Sequence, residues 1–498
     1  MSKITFEELK AHLWTAADIL DEKGGIDANE YRKPILGMLF LKRLSDVFED
    51  KAISLEKKYG KDEAWNDPDR HPFFIPKDSR WSKIEDTYEN IGETLDLACI
   101  EIEKANPKLK GVLTNITYNN KRDYSDEVLL ALTSHFSQKD RRLGNDDLEN
   151  EDVFGQAYEY LIGQFADSAG QKAGEFFTPR EVVQLLVELL EPKEGMKICD
   201  PTCGSGGMLI WARKYVEHHH ENPKNIRLHG QEKSSGNYGM CVMNMIVHGI
   251  ENFRIENENL HTTPLLVDDG KLLKYDRVIA NYPFSRDWDS TKGEKDLYGR
   301  YSFGIPPSKG KADYAFIQEM YSHLNEKGKA AIVCSQGVLF RTGKDEGKIR
   351  HAFIEQNIID TVIALPSNLF YGTTIPACIL ILDKNKPATR KGKIMFVYAA
   401  KEFEKLKKRD KLREKDIEKI KSSVKSYKNI EKYCHVADIA ELEENEFNLS
   451  VPRYVDISEP EEIIDIQEAY DELKKSYSQQ DKLKKILDNN LEEINIKL

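Results

Sequence analysis

The chain has 498 residues, 40% of them hydrophobic and 32% charged, with a formal net charge of −12; this is enough apolar material for two or three domains, and too acidic for a protein that grips nucleic-acid phosphates unaided. No apolar run approaches a membrane span and the opening MSKITFEELK lacks the apolar stretch of a signal peptide, so the cytoplasm is the expected compartment and no membrane partner is expected. Seven cysteines without CxxC spacing read as reduced thiols, with Cys199 and Cys203 as core packing, and consecutive His218, His219 and His220 on a helix point in different directions, so no metal is expected.

Helical spacing of apolar residues begins at once, with Leu9, Leu13, Ala16, Ala17 and Leu20 in one segment and Ile35, Leu36, Leu39, Phe40 and Leu44 in the next. A polar stretch with prolines and aromatics interrupts it at 62–81, and helices resume from 84 to about 140. Residues 1–145 are therefore expected to form an all-helical N-terminal domain, closed by the boundary-like RRLGNDDLENED. From residue 197 the pattern becomes short β-branched runs separated by helices: KIC, IRLHGQ, DRVIA, KAAIVCS, IIDTVIAL, ACILIL and KIMFVY. Such alternation predicts an α/β domain over 146–400 with a doubly wound, mostly parallel, Rossmann-like sheet. Residues 401–459 form a basic helical region and connector; 401–428 hold twelve Lys or Arg against six Asp or Glu, which fits either a solvated helix laced with ion pairs or a DNA contact. The tail, 460–498, returns to helix with an apolar stripe of Ile463, Ile466, Tyr470, Leu473, Leu483, Ile486, Leu487, Leu491 and Ile494, which seeks another helix, on a docking partner or within its own domain.

Three motifs carry chemistry. DPTCGSGGM follows the strand end at Cys199 and precedes a helix, so Gly204, Ser205 and Gly206 form a turn that a ligand can approach closely, while Asp200 can accept a hydrogen bond or pair with an amino group. The next strand ends at Glu232, where an acid binds both hydroxyls of a ribose in such folds. Upstream, GEFFTPREVVQLLVELL predicts a helix with Thr178 as N-cap, Pro179 at the first helical position and Glu181 completing a capping box. The exposed amides at that start, beside Phe177 and Arg180, could hold a carboxylate such as that of methionine. Finally, NYPF, Asn281 to Phe284, lies where DRVIA meets the sheet's carboxyl edge. If the Asn281 oxygen and an adjacent backbone carbonyl each accept a hydrogen from an aromatic amine, its lone pair is freed for an incoming methyl group. Phe284 offers a stacking face for a base rotated out of a duplex.

At these motifs the chain resembles the DNA adenine methyltransferases, and specifically the modification subunits of Type I restriction systems. The likeness runs through the helical leader, VFGQAYEYLIGQFADSAGQKAGEFFTPREVV, DPTCGSGGML, NYPFS, KADYAFIQEM, LPSNLFYGTTIPACILIL and FNLSVPRYVD, which together cover most of the chain. It implies that S-adenosyl-L-methionine is bound by Glu175, Phe176, Phe177, Thr178, Pro179 and Arg180, by Gly204, Ser205 and Gly206, and by Glu232, joined by Asp200 from the reading above. It implies that Asn281, Tyr282, Pro283 and Phe284 hold the target adenine, with Asn259 a looser match to a residue that helps seat it. The usual string is NPPF, and here the second position is Tyr282, whose expected contribution is its main-chain carbonyl, kept extended by Pro283. Implied partners are double-stranded DNA, a specificity subunit that reads the sequence, and a restriction subunit, with two modification subunits around one specificity subunit. The rival expectations are a protein glutamine methyltransferase, which shares the Asn-Pro-Pro-aromatic string, and a non-catalytic scaffold of a DNA-defence complex.

Overall fold

In the computed structural model residues 3–24, 32–150, 152–168, 178–309, 312–370, 373–407, 409–458 and 466–493 are described. The first apolar stripes form the helices Phe6–Gly24 and Arg32–Tyr59, and Leu9, Leu13, Leu20, Leu36 and Phe40 are buried where they meet. The polar stretch after them is a short helix, Lys61–Asn66, followed by single turns, because Pro68, Pro72 and Pro76 withhold backbone donors. Helices Ile91–Ala105 and Asp126–Phe136 complete the layer, the second opened by Ser125, whose hydroxyl accepts the Val128 N–H. The boundary-like stretch is fastened to this layer. Arg142 pairs with Glu49, Asp50 and Asp147, and the Leu143 N–H donates to Asp46, which also holds Lys42 at 2.5 Å in a buried pair.

The sheet has nine strands among the described residues: β1 Lys197–Asp200, β2 Arg227–Glu232, β3 Phe253–Asn257, β4 Tyr275–Asn281, β5 Leu324–Ser335, β6 Ile359–Ala364, β7 Ala377–Asp383, β8 Lys393–Tyr398 and β9 Cys434–Asp438. Their order is β9-β8-β6-β7-β5-β4-β1-β2-β3. β1 to β5 run parallel, as strands joined through crossover helices must; Gly207–His218 links β1 to β2, and Ser235–Val247 links β2 to β3. β7 lies antiparallel between β5 and β6, and β9 is an antiparallel edge. Every predicted strand run is present. The two edge strands, β3 and β9, are additional; FRIEN and CHVAD carry too many polar residues to stand out, because an edge strand buries fewer of its side chains.

The chain order reverses at β1, with β2 and β3 laid to one side and β4 and β5 to the other. In an open α/β sheet this switch point opens a crevice at the carboxyl ends of the strands. On the flank, helix Arg180–Leu190 buries Val182, Val183, Leu185 and Leu186 and packs against Gly207–His218 and Glu414–Ser426. Residues 1–455 form one compact unit and residues 456–498 a second. The second is a helix, Ile466–Glu493, along which Ile466, Tyr470, Leu473, Leu483, Ile486 and Leu487 are exposed; position 463 and the side chains of 491 and 494 lie outside the described residues. Among the described residues no helix is long and apolar enough to cross a membrane.

Candidate active site

Three adjacent strands, β4, β1 and β2, end in a polar side chain each: Asn281, Asp200 and Glu232. Register sets them along one edge, since Cys199 pairs with Val278 on one side and Asp200 with Gly230 on the other, which leaves Asn281 and Glu232 each two residues further along their strands than Asp200. Neighbouring strands are about 4.8 Å apart, so three such ends fit within the span of one nucleoside-sized ligand.

The glycine turn after β1 closes on itself. Gly204 and Gly206 have φ of 53° and 82°, a region that other residues adopt at a cost, and a Cβ on Gly206 would meet Cys241 Sγ at 2.8 Å. The Gly204 N–H donates to Glu232 Oε2 at 3.0 Å and the Ser234 N–H to Oε1 at 2.8 Å, so the acid at the end of β2 holds the turn after β1. Asp200 is buried and accepts the Thr202 N–H at 3.0 Å. Burial pushes its carboxyl up to about 7; the Thr202 N–H opposes the shift, and nearby Glu232 adds to it. Burial also raises Glu232, against the pull of the Ser234 and Gly204 amides. Among the described residues neither acid has a cationic partner. Two unneutralised acids beside a glycine turn suit a ligand that brings hydroxyl and amino hydrogens.

At the end of β4, Asn281 is half-buried and its Nδ2 donates to Thr178 Oγ1 at 3.0 Å. That bond corrects the expected capping box. Pro179, not Thr178, is the N-cap of helix Arg180–Leu190; it has no side-chain cap, and its carbonyl accepts the Val182 and Val183 N–H groups. The Thr178 hydroxyl is spent on Asn281, and Glu181 turns away to pair with Arg409. Arg180 is exposed over the Trp211 ring, while Glu175, Phe176 and Phe177 lie outside the described residues.

Tyr282 points inward. Its ring is 2% exposed and stacks on Phe316 with centroids 4.9 Å apart at 11°, and its buried hydroxyl lies beside the Cys334 thiol, with no well-formed hydrogen bond among the described residues. Phe316 belongs to helix Asp313–Ser322, which is the ADYAFIQEM motif. The tyrosine therefore fills the core beneath the loop and leaves its backbone at the strand end. Phe284 sits edge-on to it, 5.5 Å away at 79°, and stays partly buried; Pro283 is half-buried between them. The turn is completed by Ser285 at φ 52°, whose N–H donates to the buried Asp313.

Two buried polar groups near this edge had no signature in the sequence. Gln231, one residue before Glu232, donates to the Glu258 and Thr263 carbonyls and accepts the Leu265 N–H, fixing the loop that contains Asn259. Arg300 donates to Asp296, to Glu319 and to the Leu260 and His261 carbonyls, tying the segment after NYPF to that same loop. Asn259 Oδ1 accepts the His261 N–H at 3.0 Å. An arginine or glutamine inside a loop becomes a hub only through tertiary contacts, so neither could be read from spacing.

The basic stretch resolves into a packed helix. Glu414–Ser426 buries Ile417, Ile420 and Val424, Lys421 pairs with Glu188 at 2.8 Å, Lys419 with Glu402, and Arg413 with Asp416. His218, His219 and His220 are exposed at a helix end, with His219 stacked on Tyr215.

Comparison with known proteins places this geometry. The N-6 DNA Methylase family model matches residues 149–463, and that of the HsdM N-terminal domain matches residues 9–136. The chain is 33% identical to the methylase subunit of the Type I restriction enzyme MjaVIII of Methanocaldococcus jannaschii, over 93% of this chain and 81% of that protein. It is 32% identical to the HindI methylase subunit of Haemophilus influenzae, over 78% of this chain and 91% of that protein. Among solved structures, the Type I restriction-modification system methyltransferase subunit from Streptococcus thermophilus superposes with a TM-score of 0.79 at 32% identity, covering 91% of this chain and 100% of that one.

Proposed function

The chain belongs to the N-6 DNA methylase family, among the methylase subunits of Type I restriction-modification systems, and from that premise we propose that it transfers a methyl group from S-adenosyl-L-methionine to the exocyclic amino group of an adenine rotated out of double-stranded DNA. The observation that carries this reading is the row of Asn281, Asp200 and Glu232 at the carboxyl ends of three neighbouring parallel strands, at the switch point of the sheet.

When bound, the cofactor supplies an electrophilic methyl group. The chain's own residues do the rest. Glu232, already fixed by two backbone donors, has lone pairs left to accept ribose hydroxyls, and Asp200 accepts from an amino group. Gly204, Ser205 and Gly206 let the ligand lie against the backbone, and the 175–180 segment with Arg180 receives the carboxylate. On the other side, Asn281 Oδ1 and the Tyr282 carbonyl accept the two hydrogens of the target amine. This pulls its nitrogen toward tetrahedral geometry and aims the lone pair at the methyl carbon; one proton then leaves for solvent. Phe284 presents its ring to the base, at a site where the cost of unstacking, a few kcal/mol, must be offset. Asn259, in the loop pinned by Gln231 and Arg300, helps seat the adenine.

An acidic chain without a base-reading module needs a partner for sequence choice. The reading assigns this to a specificity subunit shared by two copies of the chain, docked partly through 460–498, with a restriction subunit added for cleavage. Deleting 460–498 is expected to abolish co-sedimentation with the specificity subunit and to leave cofactor binding intact; unchanged assembly refutes the docking. The test of the activity is transfer of labelled methyl from the cofactor to DNA by the chain with its specificity subunit. Label in adenine supports the reading. Label in a protein glutamine, or none, overturns it.

A further inference from the structure

Asparagine is a poor acceptor unless something decides which end of its amide faces the ligand. The final torsion of the side chain is broad and roughly two-fold, so Oδ1 and Nδ2 can exchange places at little cost. With the nitrogen turned toward the target, donor would face donor, and the amine would lose the acceptor it needs.

In the fold one group faces the amide nitrogen, a hydroxyl whose lone pairs can hold this orientation. Asn281 Nδ2 donates to Thr178 Oγ1 at 3.0 Å, across 103 residues of sequence, and Oδ1 has no donor among the described residues. Thr178 is suited to the task for reasons visible around it. Its hydroxyl is free of capping duty, because Pro179 serves as N-cap through its carbonyl. Pro179 is buried and restricts the residue before it to extended geometry, which limits where the hydroxyl can swing. The helix that follows is anchored by the Glu181 pair with Arg409 and by its buried apolar face. Asn281 itself is held by β4, whose register with β5 extends to the Asn281 and Val333 pair. Strand and helix are also tied at their far ends, where the Arg277 guanidinium donates to the Leu190 carbonyl, so the Asn281–Thr178 hydrogen bond joins two elements already fixed against each other.

Building on the methyl-transfer reading, we infer that Thr178 is a positioning residue for catalysis: its hydroxyl accepts from the Asn281 amide nitrogen and keeps the amide oxygen turned toward the amino group to be methylated. The inference moves this side chain from the cofactor's side of the site to the target's. It also makes the segment that approaches the cofactor a direct neighbour of the group that aligns the base.

The experiment compares Thr178→Val, Thr178→Ser and wild type, each as the full chain with its specificity subunit. Single-turnover methyl transfer to DNA gives the rate, and calorimetry with S-adenosyl-L-methionine gives the affinity. Valine keeps the branching and removes the acceptor. It is expected to slow transfer by about 10- to 100-fold, the scale of a misplaced reacting group, with the cofactor dissociation constant within about twofold. Serine restores the acceptor and is expected to recover most of the rate. The inference is overturned if valine transfers at the wild-type rate, if cofactor affinity falls in step with the rate, or if serine is as slow as valine. Should the valine protein melt early, Thr178→Ala takes its place under the same criteria. Asn281→Ala run alongside separates the two levels: activity surviving in that variant sinks the reading of the site itself, whatever Thr178 does.

Discussion

Charged groups on the flank of the sheet and charged groups at its carboxyl edge are treated in opposite ways. On the flank, where helices Arg180–Leu190 and Glu414–Ser426 meet, counter-charges come from within the chain: Glu181 has Arg409, Glu188 has Lys421, Asp416 has Arg413. At the edge, Asp200 is buried and Glu232 half-buried, Glu232 lies close enough to raise Asp200, and among the described residues both are met by backbone amides and neutral side chains without a cation. Burying an acid without a cation is costly unless it serves something else. The difference separates the two regions without reference to any motif: the flank acids are neutralised within the chain, and the edge acids are the groups the proposed function assigns to a ligand.

The sharpest way to strain that distinction is Tyr282, which belongs to the edge by sequence and to the core by position. Tyr282→Ala is expected to cost about 3–5 kcal/mol of folding stability, the usual loss for a buried aromatic ring, measured by denaturant unfolding. Tyr282→Pro, which restores the common form of the motif, is expected to lose nearly as much stability. Below its transition it should transfer methyl at close to the wild-type rate, because the proposed function uses only the backbone carbonyl. Tyr282→Phe should be nearly neutral, since the hydroxyl it removes makes no well-formed hydrogen bond among the described residues and has only the weakly polar Cys334 thiol beside it. A phenylalanine variant that folds and is inactive would put the side chain back at the edge.

Asn281→Ala comes next. Removing one preorganised acceptor is expected to lower the rate about 10²- to 10³-fold, by analogy with the loss of a single oxyanion donor. Cofactor affinity should stay near wild type, because the proposed function assigns the lost oxygen to the base. Equal loss of both in calorimetry and rate assays would merge the two halves of the edge into one.

The acids should announce themselves through pH. Asp200 titrates near 7 in the fold against an ordinary value of 3.8, so the folded state binds the proton more tightly than the unfolded chain. Stability of the ligand-free protein should therefore decline as pH rises from about 4 to about 7 and then level off. Cofactor affinity should run the other way, weakening up to about tenfold per pH unit below 7 as the carboxylate that receives the amino group is protonated. Asp200→Asn should flatten that slope in calorimetric titrations. An unchanged slope would remove Asp200 from the cofactor's contacts.

Much of this edge was legible before the fold was known, for a physical reason. Strand, glycine turn and helix impose local rules, so DPTCGSGG and the acid at Glu232 fell where a doubly wound sheet must put them. NYPF was found through its position after DRVIA. What stayed hidden is tertiary. The Thr178 hydroxyl satisfies every local rule for an N-cap, yet it is claimed by a residue more than a hundred positions away. The inward turn of Tyr282, the hubs at Gln231 and Arg300, and the polar edge strands β3 and β9 likewise depend on neighbours that no window of sequence contains.

The flank supplies the smallest effect and the cleanest control. The run of twelve basic residues could have meant a DNA surface, and Lys421 is a fair representative, part-exposed and charged. In the fold it is bound to Glu188 at 2.8 Å, with Glu418 also within reach, and the glutamates beside it raise its affinity for a proton. A part-exposed pair of this kind contributes about 0.2–1 kcal/mol, so Lys421→Ala should lower stability by no more than that. It should leave unchanged the salt dependence of DNA binding by the complex with the specificity subunit. Were Lys421 a phosphate contact, the slope of log affinity against log salt would fall by about one unit. A shallower slope in that titration would mean that the flank, too, holds charge in reserve for a ligand, and the division between the two regions would no longer stand.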